Sequence, residues 1–167
     1  MGGHAEPVVV VAVDFETFFT RHHADMVRAL TLALGDAEFG RDAAAEGFAR
    51  ALPRWPKVST YPNPSGWVYR VGLNWARSRH RKRRRERVGV VVERPAPAVS
   101  PRDGRLIDAM QQLSFDHRSV VVGRYYLDWS EAQLADVFDI APGTVKSRLS
   151  RALAQLASLL EDGHDRT

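Results

Sequence analysis

Apolar residues recur every three or four positions along most of this chain, and the runs break at proline, glycine or small polar residues. The first run follows Asp14, a suitable helix cap. It places Phe15, Phe18, Phe19, Met26, Leu30 and Leu34 on one helical side, with Gly35 suited to end it. A second helix is predicted over Ala37 to Leu52, with Phe39, Ala43, Ala44, Phe48, Ala51 and Leu52 apolar and Pro53 as its stop. From Arg54 to Ser65 the period is lost and three prolines stand among two serines and an Asn-Pro step, which predicts a loop. Periodicity returns in Gly66 to Arg87, where Trp67, Val71 and Trp75 at i, i+4 and i+8 predict a buried stripe.

The next stretch, VGVVVERPAPAVSP from Val88 to Pro101, has no helical period and three prolines, so it reads as an extended linker. Ser100-Pro101 then supplies a cap and a first helical residue for a helix burying Leu106, Ile107, Met110 and Leu113. Another helix is predicted from Asp116, with Val120, Val121, Val122, Tyr125 and Tyr126 as its apolar set. Ser130 and Gln133 have capping-box spacing and open a short helix carrying Leu134, Ala135, Val137 and Phe138. A turn at Asp139 to Pro142 leads into a longer helix, with Val145, Leu149, Ala152, Leu153 and Leu156 on one face. Thr144, Ser147 and Arg151 lie opposite, with Lys146 and Arg148 on the flanks. A short helix, a tight turn and a longer helix with a cationic outer face suit a major-groove reader; a helical hairpin with a solvated basic face has the same spacing.

These patterns predict an all-α chain of two small helical domains, 14–87 and 102–161, joined by an extended linker, 88–101, with tails at 1–13 and 162–167. Hydrophobic residues make up 44% of the 167, enough for compact cores, and no apolar run approaches the roughly 18 residues a membrane helix needs. Without cysteine the chain has no disulfide framework, thiol nucleophile or Cys-containing zinc site, which is compatible with the cytoplasm. The net charge of +4 favours a polyanionic partner. Much of the positive charge is local, with eight Lys or Arg among the eleven residues from Arg77 to Arg87. A helix anchored by tryptophans at one end and arginine-rich at the other offers a strip to phosphates, although such a run also suits a solvated helix end. His22 and His23 have no partner at ligand spacing, and Asp42 with Glu46 reads as a solvated i, i+4 pair. No metal, cofactor or catalytic group is expected. In the loop, Trp55, Val58 and Tyr61 offer apolar surfaces to an unstacked base, Trp55 being better suited to covering the core.

Three strings, in the right order, carry a resemblance. The Tyr125 to Leu156 stretch, YYLDWSEAQLADVFDIAPGTVKSRLSRALAQL, resembles the promoter-reading helix-turn-helix of bacterial RNA polymerase sigma factors, and WVYRVGLNWAR is similar to their minus-ten-reading helix. The extracytoplasmic-function (ECF) group also carries an acidic residue, a Gln-Glu pair and a phenylalanine on a helix that docks on the polymerase clamp helices. Asp42, Glu46 and Phe48 match, while Ala45 replaces the glutamine. The resemblance implies an alternative sigma factor. It would bind core polymerase through the clamp helices and flap, read duplex promoter DNA and capture the melted strand, with an anti-sigma factor as an optional further partner.

By match, Asn74 is the base-proximal polar residue of the downstream reader, Arg70, Arg77 and Arg81 are phosphate contacts, and the loop bearing Tyr61 captures a flipped base. In the upstream reader, Lys146, Ser147, Ser150 and Arg151 face the groove while Thr144 and Arg148 hold phosphates. Ala141 stands where a serine often caps the recognition helix. The rival readings are a stand-alone helix-turn-helix regulator and a nucleic-acid-processing enzyme. The second lacks a phosphate-binding glycine loop or a metal-ligand cluster.

Overall fold

The computed structural model describes residues 13–86 and 101–162, and helices are the only regular elements among them. The first group holds α1 (Phe15–Leu34), α2 (Ala37–Ala51), a 3-10 turn (Leu52–Arg54), α3 (Trp55–Val58) and α4 (Pro64–Glu86). The second holds α5 (Pro101–Gln112), α6 (Phe115–Tyr125), α7 (Glu131–Phe138) and α8 (Pro142–Asp162). The linker expected over 88–101 and the two expected tails fall almost wholly outside the described residues.

Local chemistry sets most of the ends. Asp14 caps α1 by accepting the Thr17 amide at 2.8 Å, and Gly35 ends that helix at φ 69°, where a side chain would be strained. The loop expected over Arg54 to Ser65 is shorter than its prolines suggested. Pro53 and Pro56 take first-turn positions of the 3-10 turn and α3, and α4 begins at Pro64. The helix expected from Asp116 starts one residue earlier, at Phe115, and Ser114 caps it, with its hydroxyl accepting the His117 amide at 3.2 Å.

The seam between α2 and α4 is made of small residues. A Cβ on Gly47 would lie 2.7 Å from the Val68 carbonyl oxygen, and one on Gly72 would lie 2.8 Å from that of Ala43. The two backbones therefore run almost in contact, with Ala43 and Ala44 buried between them. This corrects the expected stripe on α4: Val68, Tyr69, Leu73 and Ala76 are buried, whereas Trp67, Val71 and Trp75 are half-buried. α4 is packed by α2 on one side and α7 on another, so the tryptophans take the rim. Leu106, Tyr125, Tyr126, Leu153, Leu52 and Phe19, expected on apolar faces, are exposed.

The two groups share one continuous apolar core, which runs from Phe18 on α1 to Leu156 on α8. Tyr69 of α4 is fully buried where they meet. Its ring is edge-on to Trp129 at 5.4 Å and its hydroxyl donates to the Ser119 carbonyl at 3.1 Å. Burial raises the Tyr69 phenol far above its ordinary range, so it remains a donor. Nearby, the Arg118 guanidinium donates from Nε to the Ala33 carbonyl at 2.6 Å and from Nη1 to that of Gln111 at 3.2 Å. One cation thus satisfies carbonyls in the last turns of α1 and α5.

Gly72→Ala should lower stability by about 1–2 kcal/mol because the α2–α4 seam has no room for a methyl group. Gly104→Ala, on α5 with nothing within 4 Å of the added carbon, should raise it by about 0.5–1 kcal/mol. Urea unfolding midpoints check both.

Candidate functional site

The pair α7–α8 forms a helix-turn-helix built as its sequence requires. Ser130 Oγ accepts the Gln133 amide at 3.1 Å while Gln133 Oε1 accepts the Ser130 amide at 2.9 Å, so the capping box is closed on both sides. Asp139 ends α7 in the left-handed region at φ 53° and the chain re-enters a helix at Pro142. The Ala141 methyl group offers no acceptor to cap α8, and the Ala141 carbonyl accepts from the Thr144 amide at 2.9 Å. Val145, Leu149, Ala152 and Leu156 bind α8 into the core. Opposite them Lys146, Ser150 and Arg151 are exposed, as a groove-reading face needs, whereas Thr144, Ser147 and Arg148 are half-buried. Ser147 spends its hydroxyl on the Thr144 carbonyl at 3.0 Å.

On α4, Asn74, Arg77 and Arg81 are exposed and Arg70 is half-buried. Arg70, Asn74 and Arg77 line a cleft of about 190 Å³ with Asp116, Phe138, Ile140 and Arg148, so the two sets of expected phosphate contacts meet in one place. Arg77 lies 4.5 Å above the Phe115 ring and 2.6 Å from Asp116 Oδ1. Arg81 points to a neighbouring recess with Leu34, Phe39, His80 and Arg118. Residues 83–86 continue the helix, and Arg87 lies outside the described residues.

The loop before α4 shapes two recesses. Tyr61 lines one with Pro53, Pro56, Val58 and Trp67. The other, about 390 Å³, is walled by Arg21, His22, Trp55, Ser59, Pro62 and Asn63 among others. Asn63 Oδ1 accepts the Gly66 amide at 2.9 Å and the Ser65 hydroxyl at 2.8 Å, while its buried Nδ2 has no partner among the described residues. Burial, with Arg21 beside it, lowers the His22 pKa from its ordinary value and favours the neutral imidazole.

A family model for sigma-70 region 4 matches residues 103–156. Over 154 residues the chain is 33% identical to the ECF RNA polymerase sigma factor SigL of Mycobacterium tuberculosis, covering 86% of this chain and 87% of that protein. The chain belongs to the ECF sigma factors. The RNA polymerase sigma-E factor of Streptomyces coelicolor is 27% identical over 149 residues, 86% of this chain and 84% of that protein. In fold, the chain is similar to the sigma factor RpoE of Bartonella quintana, solved in complex with the anti-sigma factor NepR. The TM-score is 0.75 at 23% identity, over 89% of this chain and 97% of that one. CnrH, solved with the cytosolic domain of CnrY, follows at TM-score 0.63 and 23% identity, over 89% and 88% of the respective chains. As an ECF sigma factor the protein directs promoter-specific transcription initiation, and the stand-alone regulator is not favoured.

In this sigma factor the residues matched to polymerase docking are not equivalent. Asp42 is exposed and Glu46 is half-buried, with Oε1 accepting from Arg50 at 2.6 Å. Phe48 is only 3% exposed, so it supports that surface from beneath. Phe19 of α1 packs edge-on against it and His23 packs against it at a tilt, at 5.0 and 5.8 Å between ring centroids, and Phe19 is exposed. Sequence reasoning missed Phe19, His23 and Asn63 as candidate contacts. For Asn63 the signal was present in its Asn-Pro step, but for the α1 pair no local pattern separates a core phenylalanine from a rim one. Among the described residues no group of acidic, histidine or cysteine side chains gathers as a metal site, and no helix is long and apolar enough to cross a membrane.

Ala141→Ser should stabilise the sigma factor by about 1 kcal/mol, by giving α8 a side-chain cap over the Thr144 amide. Thermal unfolding of the variant beside the parent chain measures it.

Proposed function

We propose that the four-helix units divide the work: 14–87 binds core polymerase and the minus-ten element, and 102–161 binds the minus-thirty-five element. The observation that carries this is the exposed Lys146–Ser150–Arg151 face on a helix whose opposite side is wholly apolar. It supports α8 lying in the major groove of duplex DNA, with Ser147 at its edge and Thr144 and Arg148 beside the phosphates. On α4, Asn74 would contact a base and Arg70, Arg77 and Arg81 the backbone. The recess beside Asn63 receives the base turned out of the stack, with Tyr61 flanking the loop on its other side. The buried Nδ2 of Asn63 supports this choice, since an unpaired buried donor is costly until something accepts from it.

Docking on the polymerase clamp helices uses Asp42 and Glu46, with Phe48 and Phe19 giving the face its shape; the second unit meets the flap. The chain supplies no chemistry of its own: polymerase makes the RNA, and no cofactor or metal takes part. It works in the cytoplasm, where polymerase and chromosome are. The solved complex of RpoE with NepR supports an anti-sigma factor as a partner here too.

Adding the purified chain to sigma-free bacterial core polymerase with a random promoter library should give transcripts from a defined promoter class only when both proteins are present. Tight site-specific binding without polymerase would favour a regulator instead. Arg151→Ala should weaken upstream-element recognition by about tenfold or more with little loss of polymerase affinity. Equal loss of both would contradict the groove assignment.

A further inference from the structure

Asp116 stands at the start of α6, between the two reading helices. Its Oδ1 lies 2.6 Å from Arg77 Nη2 on α4 and its Oδ2 lies 3.5 Å from Arg148 Nη2 on α8. The two carboxylate oxygens therefore hold one cation each, one from either reader. The same guanidinium groups are the ones that phosphates would use, and a phosphate offers them the same oxyanion chemistry in the same planar fork. We propose that Asp116 is a charge latch: in the unbound chain it masks Arg77 and Arg148 together, and promoter binding requires the α6 seam to open.

Geometry makes the two states exclusive, given the proposed assignment of α4 and α8 to separate promoter elements. Elements centred about 25 base pairs apart are separated by roughly 85 Å of duplex, at about 3.4 Å per base pair. Two helices whose arginines share a single carboxylate cannot reach both. The closed arrangement is held by more than charge. Tyr69 crosses from α4 to the Ser119 carbonyl, and Gly66 of α4 lies against α7 so closely that an added Cβ would meet Val137 Cγ2 at 2.4 Å.

The latch itself is built to release. The side chains of Asp116 and Arg77 are each 47% exposed, so salt and competing phosphates reach the pair. Polymerase, by holding the two units apart, and DNA, by replacing the carboxylate with phosphate, act on the same equilibrium. A closed chain off polymerase would bind DNA weakly, which keeps promoter reading conditional on the enzyme.

The chain has no native cysteine, so Gly66→Cys with Val137→Cys places a single possible disulfide across the α4–α7 contact. With core polymerase and a cognate promoter, the oxidised double variant should lose at least about tenfold in transcription and regain it on reduction. Equal activity in both redox states overturns the proposal. An inactive wild-type control would remove the functional reading, and this proposal with it. Asp116→Asn provides a test that does not depend on transcription. The free chain should bind a mixed-sequence DNA duplex at least threefold more tightly than Asp108→Asn, which makes the same charge change on the exposed side of α5. Equal affinities of the two variants would also overturn the latch.

Discussion

The two helical groups of this sigma factor share one apolar core when the chain is free, and the rest of the structure follows from that shared surface. Each unit is small, and joining their apolar faces buries surface that each would otherwise leave to solvent. The chain answers by running one apolar cluster through both, with α6 as the shared wall. At that wall polar groups are satisfied across the boundary: the Tyr69 phenol on the Ser119 carbonyl, and the Arg118 guanidinium on the ends of α1 and α5. A buried phenol or carbonyl without a partner costs about 1–3 kcal/mol, so these bonds specify how the two units meet as much as they stabilise them.

The same wall carries the functional tension. A promoter reader needs exposed cations, and exposed cations on two neighbouring helices repel each other. One carboxylate, Asp116, relieves that repulsion in the unbound chain. The outward face of α8 is untouched by this arrangement, because Lys146, Ser150 and Arg151 point away from the seam and stay exposed. Recognition and closure therefore use different sides of the same helix, and only Arg148 takes part in both.

Most of the local structure was legible in the residue order. The capping box at Ser130 and Gln133, the cap at Asp14, the left-handed Gly35 and the proline start of α8 are short-range devices, and each forms as its spacing requires. What was not legible arises between elements. α4 is buried on two sides, so a single stripe at helical spacing picked out the rim tryptophans instead of Tyr69 and Leu73. Glycines that let α2 and α4 touch look like weak helix formers until the partner backbone is known. Phe48 matched a docking residue by position, yet its depth depends on Phe19 and His23 from another helix. In the second unit, Leu106 and Leu153 satisfy the apolar period and remain exposed, since a period identifies a face without showing how far the neighbouring helix extends over it.

The central claim is that one chain carries two DNA readers, closed against each other when free and spread along the promoter when held by polymerase. A pair of spin or fluorescent labels at Ala24→Cys on α1 and Ala157→Cys on α8, both exposed positions, reports the separation directly. The account predicts a single short distance for the free chain and an increase of several tens of ångströms in the complex with core polymerase and promoter DNA. The same distance in both states, with transcription intact, would contradict it.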